Sequence, residues 1–107
     1  LHESTALAKT FPNLYLDLSW IHIVSPTGVR EALREWLRAV PYTKIIGYGD
    51  DVYYPEMAYG HLKIAQENVA AILAETIQEG VMTEEQALDV AHALFYDNPK
   101  ALYLETL

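Results

Sequence analysis

The sequence predicts a helix-rich α/β fold built around a pair of parallel strands. Residues 14–18 alternate apolar and polar side chains, which is the period-two pattern of a strand with two distinct faces. Residues 44–48 form a second short apolar strand, and an amphipathic helix lies between the two segments. A strand, a crossover helix and a second strand form a βαβ unit, whose two strands run parallel.

The first half of the chain contains two predicted helices with clear end signals. His2–Lys9 is expected to be the end of a helix, and the following segment, 11–13, stops it because proline disfavours helical geometry in the residue before it. The helix between the strands is predicted from apolar residues that recur on one face and is closed by Pro41. Those residues are Val29, Leu33, Trp36, Leu37 and Val40.

The opposite face of this helix carries Arg30, Arg34 and Arg38, interleaved with Glu31 and Glu35. An arginine row at helical spacing can bind a phosphate group, but the neighbouring glutamates favour a solvated face held by salt bridges. We therefore expect a surface of ion pairs here.

The second half of the chain is predicted to be helical. A long helix, Glu56–Glu79, is expected to end at Gly80, which supplies a left-handed stop. Thr83 and Gln86 form a capping box for the next helix, residues 84–96. Asn98 is then expected to cap a final short turn that reaches residue 103.

Composition narrows the possible partners and compartment. The net charge is −8, from 15 acidic residues against 7 lysines and arginines, so we expect neither nucleic acid nor a membrane surface as a partner. The absence of cysteine excludes a disulfide scaffold and a thiolate nucleophile, and it fits the cytoplasm. Residues 1–107 are expected to form one unit, and the start at Leu1 is expected to be a processed, cloned or truncated end.

Asp50 is the first candidate for a functional residue. It follows the second strand in the segment Gly47-Tyr48-Gly49-Asp50-Asp51, and parallel β/α proteins place ligand and metal chemistry at the carboxyl ends of their strands. Because the strands are parallel, Asp17 at the end of the first strand is expected at the same edge. From the residues alone, a strand-to-loop turn is the favoured explanation of Gly-Asp-Asp, and one carboxylate cannot hold a zinc or transition-metal site.

The predicted sheet is not a finished domain. Two parallel strands with helices on one side leave both outer edges unpaired and one face exposed. We therefore expect the chain to be part of a larger fold or to self-associate through its strand edges.

Four segments carry a resemblance to a known family: residues 11–18, 41–50, 55–56 and 98–103. With these segments the chain resembles the amidohydrolase superfamily, and most of all the branch of uronate isomerases and of amidohydrolase domains fused to glutamine-synthetase-like proteins. The resemblance covers essentially all 107 residues. It implies the C-terminal fragment of a (β/α)8 TIM barrel, from strand seven through helix seven and strand eight to the C-terminal helices. A complete barrel typically needs about 250 residues, so the first six strands would lie outside this sequence.

The resemblance also implies residue roles. Asp50 matches the strand-eight aspartate, which binds a divalent metal, zinc or manganese, or accepts a proton from the metal-bound water. Asp17 matches an acidic position after strand seven and is expected to contact the small-molecule substrate or support the site. His22 and Trp20 follow that strand, where barrel loops either contact substrate or cover the barrel rim by packing. The family's histidine ligands cannot be assigned here, so the chain alone is expected to be inactive and to bind no metal.

Two further histidines, His61 and His92, fall within predicted helices and are expected at the surface. Two function classes stay open. The chain is either the C-terminal portion of a metal-dependent hydrolase, or of a related decarboxylase or isomerase, or an independent acidic α/β module for interaction or oligomerisation.

Overall fold

The computed structural model describes residues 1–105 and shows a helix-rich fold around a small sheet. The elements are, in order, α1 (His2–Thr10), β1 (Leu16–Asp17), α2 (Ile21–Val24), α3 (Pro26–Ala39), a 3₁₀ turn (Tyr42–Lys44), β2 (Ile45–Ile46), α4 (Pro55–Gln78), α5 (Glu84–His92) and two π-helical segments (Ala93–Asp97 and Lys100–Leu104). No helix in this part of the chain is long and apolar enough to cross a membrane.

The two strands pair in parallel, which confirms the predicted βαβ arrangement. Leu16 lies opposite Ile45, and Asp17 lies opposite Ile46. Both strands are shorter than predicted. The residues before them form turns: Leu14 N–H donates to the Phe11 carbonyl at 3.2 Å, and Lys44 N–H donates to the Pro41 carbonyl at 3.0 Å. The short helix α2 was not predicted and occupies a stretch that we expected to be loop.

The core lies between the sheet and the helices that cross it. The predicted apolar stripe of α3 is buried along Val29, Leu33 and Trp36, while Leu37 is only partly buried. Five large side chains, each from a different segment of the chain, are almost fully buried: Leu18, Leu33, Ile45, Ile72 and Leu94. The second half of the chain therefore packs directly on the βαβ unit.

The arginine row of α3 forms ion pairs and hydrogen bonds, but its partners are on α4 and at the residue that ends it. Arg34 Nε donates to Glu75 Oε2 at 2.7 Å, and Arg38 pairs with Glu79. Arg30 Nε donates to Asn68 Oδ1 at 3.0 Å. The expected salt-bridged face thus joins two helices, because α4 and the residue that ends it lie alongside α3 and present acceptors to all three arginines.

The helix ends in the second half are largely as predicted. Gly80 has a positive φ of 75° after α4. Thr83 and Gln86 form the predicted capping box at the start of α5, with Gln86 N–H donating to Thr83 Oγ1 at 3.1 Å. The helix predicted over 84–96 changes at Ala93 from α- to π-helical hydrogen bonding.

Asn98 is not a helix cap, contrary to the prediction. Its backbone is helical, and its side chain is buried. Asn98 Nδ2 donates to the Tyr42 carbonyl at 2.7 Å and to the Ile45 carbonyl at 2.8 Å. The amide therefore joins the C-terminal segment to β2 and to the turn before it, where the Tyr42 carbonyl also accepts from Ile45 N–H.

The same segment covers one of the edges that we expected to be unpaired. Gly47 N–H donates to the Leu94 carbonyl at 2.9 Å, and Asn98 serves the Ile45 carbonyl. The expectation of two open edges was thus wrong for β2, because the C-terminal helical segment bonds to its free backbone groups. In residues 1–105 no strand pairs with the outer edge of β1. One face of this strand segment is exposed, as predicted, and carries Tyr15, Asp17 and Ser19.

Candidate functional site

The segments that follow β1 and β2 lie side by side. Leu18 N–H donates to the Ile46 carbonyl at 3.0 Å, and Trp20 N–H donates to the Gly49 carbonyl at 3.2 Å. A β-carbon added at Gly49 would lie 2.0 Å from Ser19 Oγ and 3.0 Å from Ser19 Cβ, so any larger residue would have to displace the Ser19 hydroxyl. Parallel pairing thus brings the residues after the two strands to one edge, where ligand sites of α/β folds lie.

Asp50 is held at this edge by three donors. Asp50 Oδ2 accepts from Tyr48 OH at 2.9 Å and from His61 Nδ1 at 2.7 Å, and Oδ1 accepts from Asp51 N–H at 2.9 Å. The Tyr48 hydroxyl also lies 2.9 Å from the Ala58 carbonyl in the first turns of α4. The Asp50 side chain is only 8% exposed, so the carboxylate is enclosed by the loop, the strand end and α4.

The surroundings of Asp50 keep it ionised. Burial acts to raise the pKa of this carboxyl, but the hydrogen bonds from Asp51 N–H, Tyr48 and His61 outweigh burial and lower its pKa below the ordinary value. Burial, and then the hydrogen bond to Asp50, raise the pKa of Tyr48 to about 12. At neutral pH the pair is therefore a carboxylate acceptor and a neutral phenol donor.

His61 is part of this site, which corrects the prediction of a surface histidine. Its side chain is 15% exposed, and its Nδ1 contacts Asp50. The reason is that α4 begins over the strand ends, so a residue in its second turn returns to the carboxylate. His61 lies four residues before the buried Ala65, and this helical spacing is the sequence signal that could have indicated it. His92, in contrast, is exposed as predicted and pairs with Asp97.

Trp20 lies beside His61 and has a strained backbone. Its φ is 69°, and it is the one non-glycine residue with positive φ in residues 1–105. The Trp20 and His61 ring centroids are 5.6 Å apart in an edge-to-face arrangement. A bulky residue in the left-handed region is uncommon and is found where the surrounding structure forces it, often at functional sites.

Asp17 lies on the exposed face of β1 and bonds locally. Its Oδ1 accepts from Ser19 N–H at 2.8 Å and from Ser19 Oγ at 2.6 Å. Ser19 in turn packs against Gly49, next to Asp50. Asp17 is therefore near the same edge but is joined to Asp50 through intervening residues, and its role in substrate binding stays a prediction.

His22 is placed in a buried chain of hydrogen bonds, apart from Asp50 and His61. His22 Nε2 donates to the Gly47 carbonyl at 2.8 Å, and His22 Nδ1 accepts from Asn68 Nδ2 at 3.1 Å. Asn68 Oδ1 then accepts from Arg30. Burial lowers the pKa of His22, against the opposing effect of the Gly47 hydrogen bond, so the ring is neutral. Both ring nitrogens are engaged within the chain, and the predicted substrate contact of His22 stays a prediction.

The described residues do not assemble a metal site by themselves. Within residues 1–105 no group of three histidine, cysteine, aspartate or glutamate side chains is placed to hold an ion. Asp50 and His61 form a pair, and a zinc or transition-metal site needs more ligands than this pair can supply. Asp50 fits one ligand position, so any complete site would require ligands from outside these residues.

The chain is similar to proteins of two kinds over nearly its whole length. It is 30% identical over 102 residues to protein FluG of Emericella nidulans, which covers 94% of this chain and 12% of FluG. It is 28% identical over 101 residues to the uronate isomerase of Rhizorhabdus wittichii, covering 94% of this chain and 22% of that enzyme. A uronate isomerase of Xanthomonas oryzae pv. oryzae is 27% identical, with 21% of the enzyme covered. No family model matches the chain.

The chain therefore spans about an eighth to a fifth of the length of these relatives. The matched portion includes both strands, the Asp50 loop and the C-terminal helices. These coverages are consistent with a fragment of a larger α/β protein.

Proposed function

We propose that this chain is the C-terminal portion of a larger, metal-dependent enzyme of the amidohydrolase type, a hydrolase or a related decarboxylase or isomerase. In this proposal residues 1–107 form one unit that supplies strands seven and eight and the last helices of a (β/α)8 barrel. The unit would be inactive alone, because the remaining ligands and substrate loops belong to the missing strands. A divalent metal, zinc or manganese, and a small-molecule substrate would bind the complete protein.

The observation that carries this proposal is the environment of Asp50. An enclosed carboxylate with a lowered pKa stands at the carboxyl end of a parallel strand, the usual position of chemistry in such folds. Asp50 Oδ1 accepts a single hydrogen bond and keeps a lone pair for another partner. Similarity to FluG and to the uronate isomerases over the same residues supports the proposal.

The matched relatives suggest which substrate to try. Two of them are named as uronate isomerases, so a uronate such as D-glucuronate is the first small molecule to test on the longer protein. Because the chain itself carries a net charge of −8, positive charge for an acidic substrate would come from the bound metal and from the rest of the protein.

Asp50→Asn in the longer polypeptide that contains this sequence is expected to weaken the binding of zinc or manganese at least tenfold. The lower limit is chosen because changing a group that only orients a metal ligand already lowers metal affinity by about 10–100-fold. The measurement is the metal content per polypeptide after dialysis against graded chelator. The 107-residue chain, measured in the same way, is expected to retain neither metal.

Asp51→Asn is the matched control, because Asp51 is exposed and neighbours Asp50 in sequence. It removes the same charge and is expected to leave metal retention unchanged. Equal metal content in the wild-type protein and the Asp50→Asn variant would contradict the proposed role of Asp50. Stoichiometric binding of metal by the 107-residue chain would contradict the fragment proposal.

A second candidate function is an acidic interaction module that self-associates through β1. The observation that favours it is the exposed face of β1, which is flanked by the half-exposed aromatic side chains of Phe11 and Tyr15. Strand edges and exposed apolar side chains together predict association. We expect the 107-residue chain to form dimers in a concentration-dependent manner by sedimentation, and Tyr15→Lys to weaken them. A monomer at all concentrations would contradict this second candidate.

A further inference from the structure

His61 is bonded on one side of its ring and free on the other. Its Nδ1 lies 2.7 Å from Asp50 Oδ2, and an ionised carboxylate can only accept, so Nδ1 carries the hydrogen. In the neutral ring the lone pair is then on Nε2. Within residues 1–105 His61 Nε2 has no hydrogen-bond partner. It is not among the fully enclosed atoms that lack a partner, so part of its surface is accessible.

The other polar groups around Asp50 are already engaged. The Tyr48 hydroxyl shares its single hydrogen between Asp50 and the Ala58 carbonyl. Asp50 Oδ2 accepts two hydrogen bonds. His61 Nε2 is therefore an accessible acceptor whose direction is fixed by the carboxylate behind it.

Trp20 forms an apolar wall next to this acceptor. Its ring meets that of His61 edge to face and is 43% exposed, so part of its surface stays available. The strained φ of Trp20 is maintained by hydrogen bonds from the backbone around it: its N–H donates to Gly49, and its carbonyl accepts from Ile23. An acceptor beside an exposed aromatic ring is a typical arrangement for a small polar molecule with an apolar face.

We propose that His61 contacts the substrate: Asp50 fixes the ring tautomer so that Nε2 accepts a hydrogen bond from a hydroxyl group of a small molecule beside Trp20. This inference rests on the proposed function, because it requires a small-molecule site at the carboxyl ends of β1 and β2. His61 lies on α4, the helix that follows β2, whereas the other residues of the proposed site lie at or after the strand ends.

The first test is the tautomer of His61, read from ring ¹⁵N chemical shifts of the 107-residue chain. In the neutral form of the ring, observed at alkaline pH, the hydrogen is expected on Nδ1 because that atom faces the Asp50 carboxylate. His61→Asn identifies the signal among the 4 histidines. A hydrogen on Nε2 would overturn the proposal, because that atom would then be a donor.

The second test separates two roles of His61: contact with the substrate and the hydrogen bond that supports Asp50. His61→Asn keeps an amide N–H near the position of Nδ1 and removes Nε2, whereas His61→Leu removes both. We measure the binding of D-glucuronate to the longer protein by titration, together with its metal content. His61→Asn is expected to bind D-glucuronate roughly three- to tenfold more weakly, the loss of one hydrogen bond, and to retain metal as the wild type does.

The outcomes distinguish the two proposals. Two results would overturn the proposed substrate contact of His61. One is an unchanged affinity of His61→Asn for D-glucuronate, and the other is a ring ¹⁵N signal of His61 that shows no saturable response to D-glucuronate. If Asp50→Asn still loses metal in that case, the proposed function stands. If Asp50→Asn also retains metal, both proposals fail. A loss of affinity in His61→Leu alone would assign His61 to the support of Asp50 and not to substrate contact.

Discussion

Leu94→Ala is expected to destabilise the chain by about 2–5 kcal/mol, the range for truncating a fully buried leucine. Leu94 is 0% exposed and lies in the core at the point where the C-terminal helical segment meets β2. A β-carbon at Gly47 would lie 2.9 Å from Leu94 Cβ, which shows how closely the two segments approach. The shortened side chain leaves a cavity here, since the backbone on both sides is tied by the hydrogen bond from Gly47 N–H to the Leu94 carbonyl.

The free energy of unfolding, from urea titration followed by circular dichroism, measures this effect. Leu88→Ala is the matched control: it makes the same change in α5, at a side chain that is 66% exposed. The control is expected to change stability by less than about 0.5 kcal/mol. Similar losses in the two variants would mean that the C-terminal segment does not pack on β2 as described.

The local features of this fold could be predicted from the sequence. Gly80 ends α4, and the Thr83 capping box begins α5. Both depend only on residues within four positions of each other, so the local sequence is sufficient to predict them. The parallel pairing of β1 and β2 also followed, because the handedness and length of a βαβ connection leave few alternatives. These features depend on short-range geometry or on general topological rules.

The features that the sequence did not predict depend on contacts between distant segments. Asn98 before Pro99 is a local cap signal, but the carbonyls of Tyr42 and Ile45 compete for the same amide. The arginines of α3 have glutamates on their own helix, yet Arg34 pairs with Glu75 on α4 and Arg38 pairs with Glu79, which follows α4. In each case the residue type indicated that a hydrogen bond or ion pair would form. It did not indicate the partner residue, because the partner is determined by how distant segments pack.

The candidate site shows the same division. The position of Asp50 at a strand end followed from its place after an apolar segment that ends in glycine. Its partnership with His61 did not, because it depends on the path of the loop between β2 and α4. The helical spacing of His61 with Ala65 indicates the buried face of α4, but it does not indicate which strand residue that face will meet.

His22→Leu is expected to lower the free energy of unfolding by about 2–6 kcal/mol at pH 8, which is about 1–3 kcal/mol for each buried polar group left without a partner. Two groups lose their partner: the Gly47 carbonyl loses its donor, and Asn68 Nδ2 loses its acceptor. The size of the side chain is nearly kept, so the loss reports the hydrogen bonds more than a cavity. Unfolding by urea at a series of pH values measures it.

This loss is expected to depend on pH with a definite sign. Burial lowers the pKa of His22 in the folded chain, while the unfolded chain has the ordinary value of about 6.5. As the pH falls below about 6.5, the unfolded state therefore binds a proton that the folded state does not, and the wild type loses stability by at most about 1.4 kcal/mol per pH unit. Leucine cannot titrate, so the difference between the wild type and His22→Leu is expected to shrink between pH 6.5 and the folded pKa.

His92→Leu is the control for a histidine outside the core, because His92 is exposed and bonds only to the exposed Asp97 side chain. It is expected to change stability by less than about 0.5 kcal/mol at pH 8. A stability difference for His22→Leu that stays constant from pH 8 to pH 5 would show that His22 is not held neutral by burial. The chain of hydrogen bonds through Asn68 to Arg30 would then need a protonated ring, in which Nδ1 could no longer accept from the Asn68 amide.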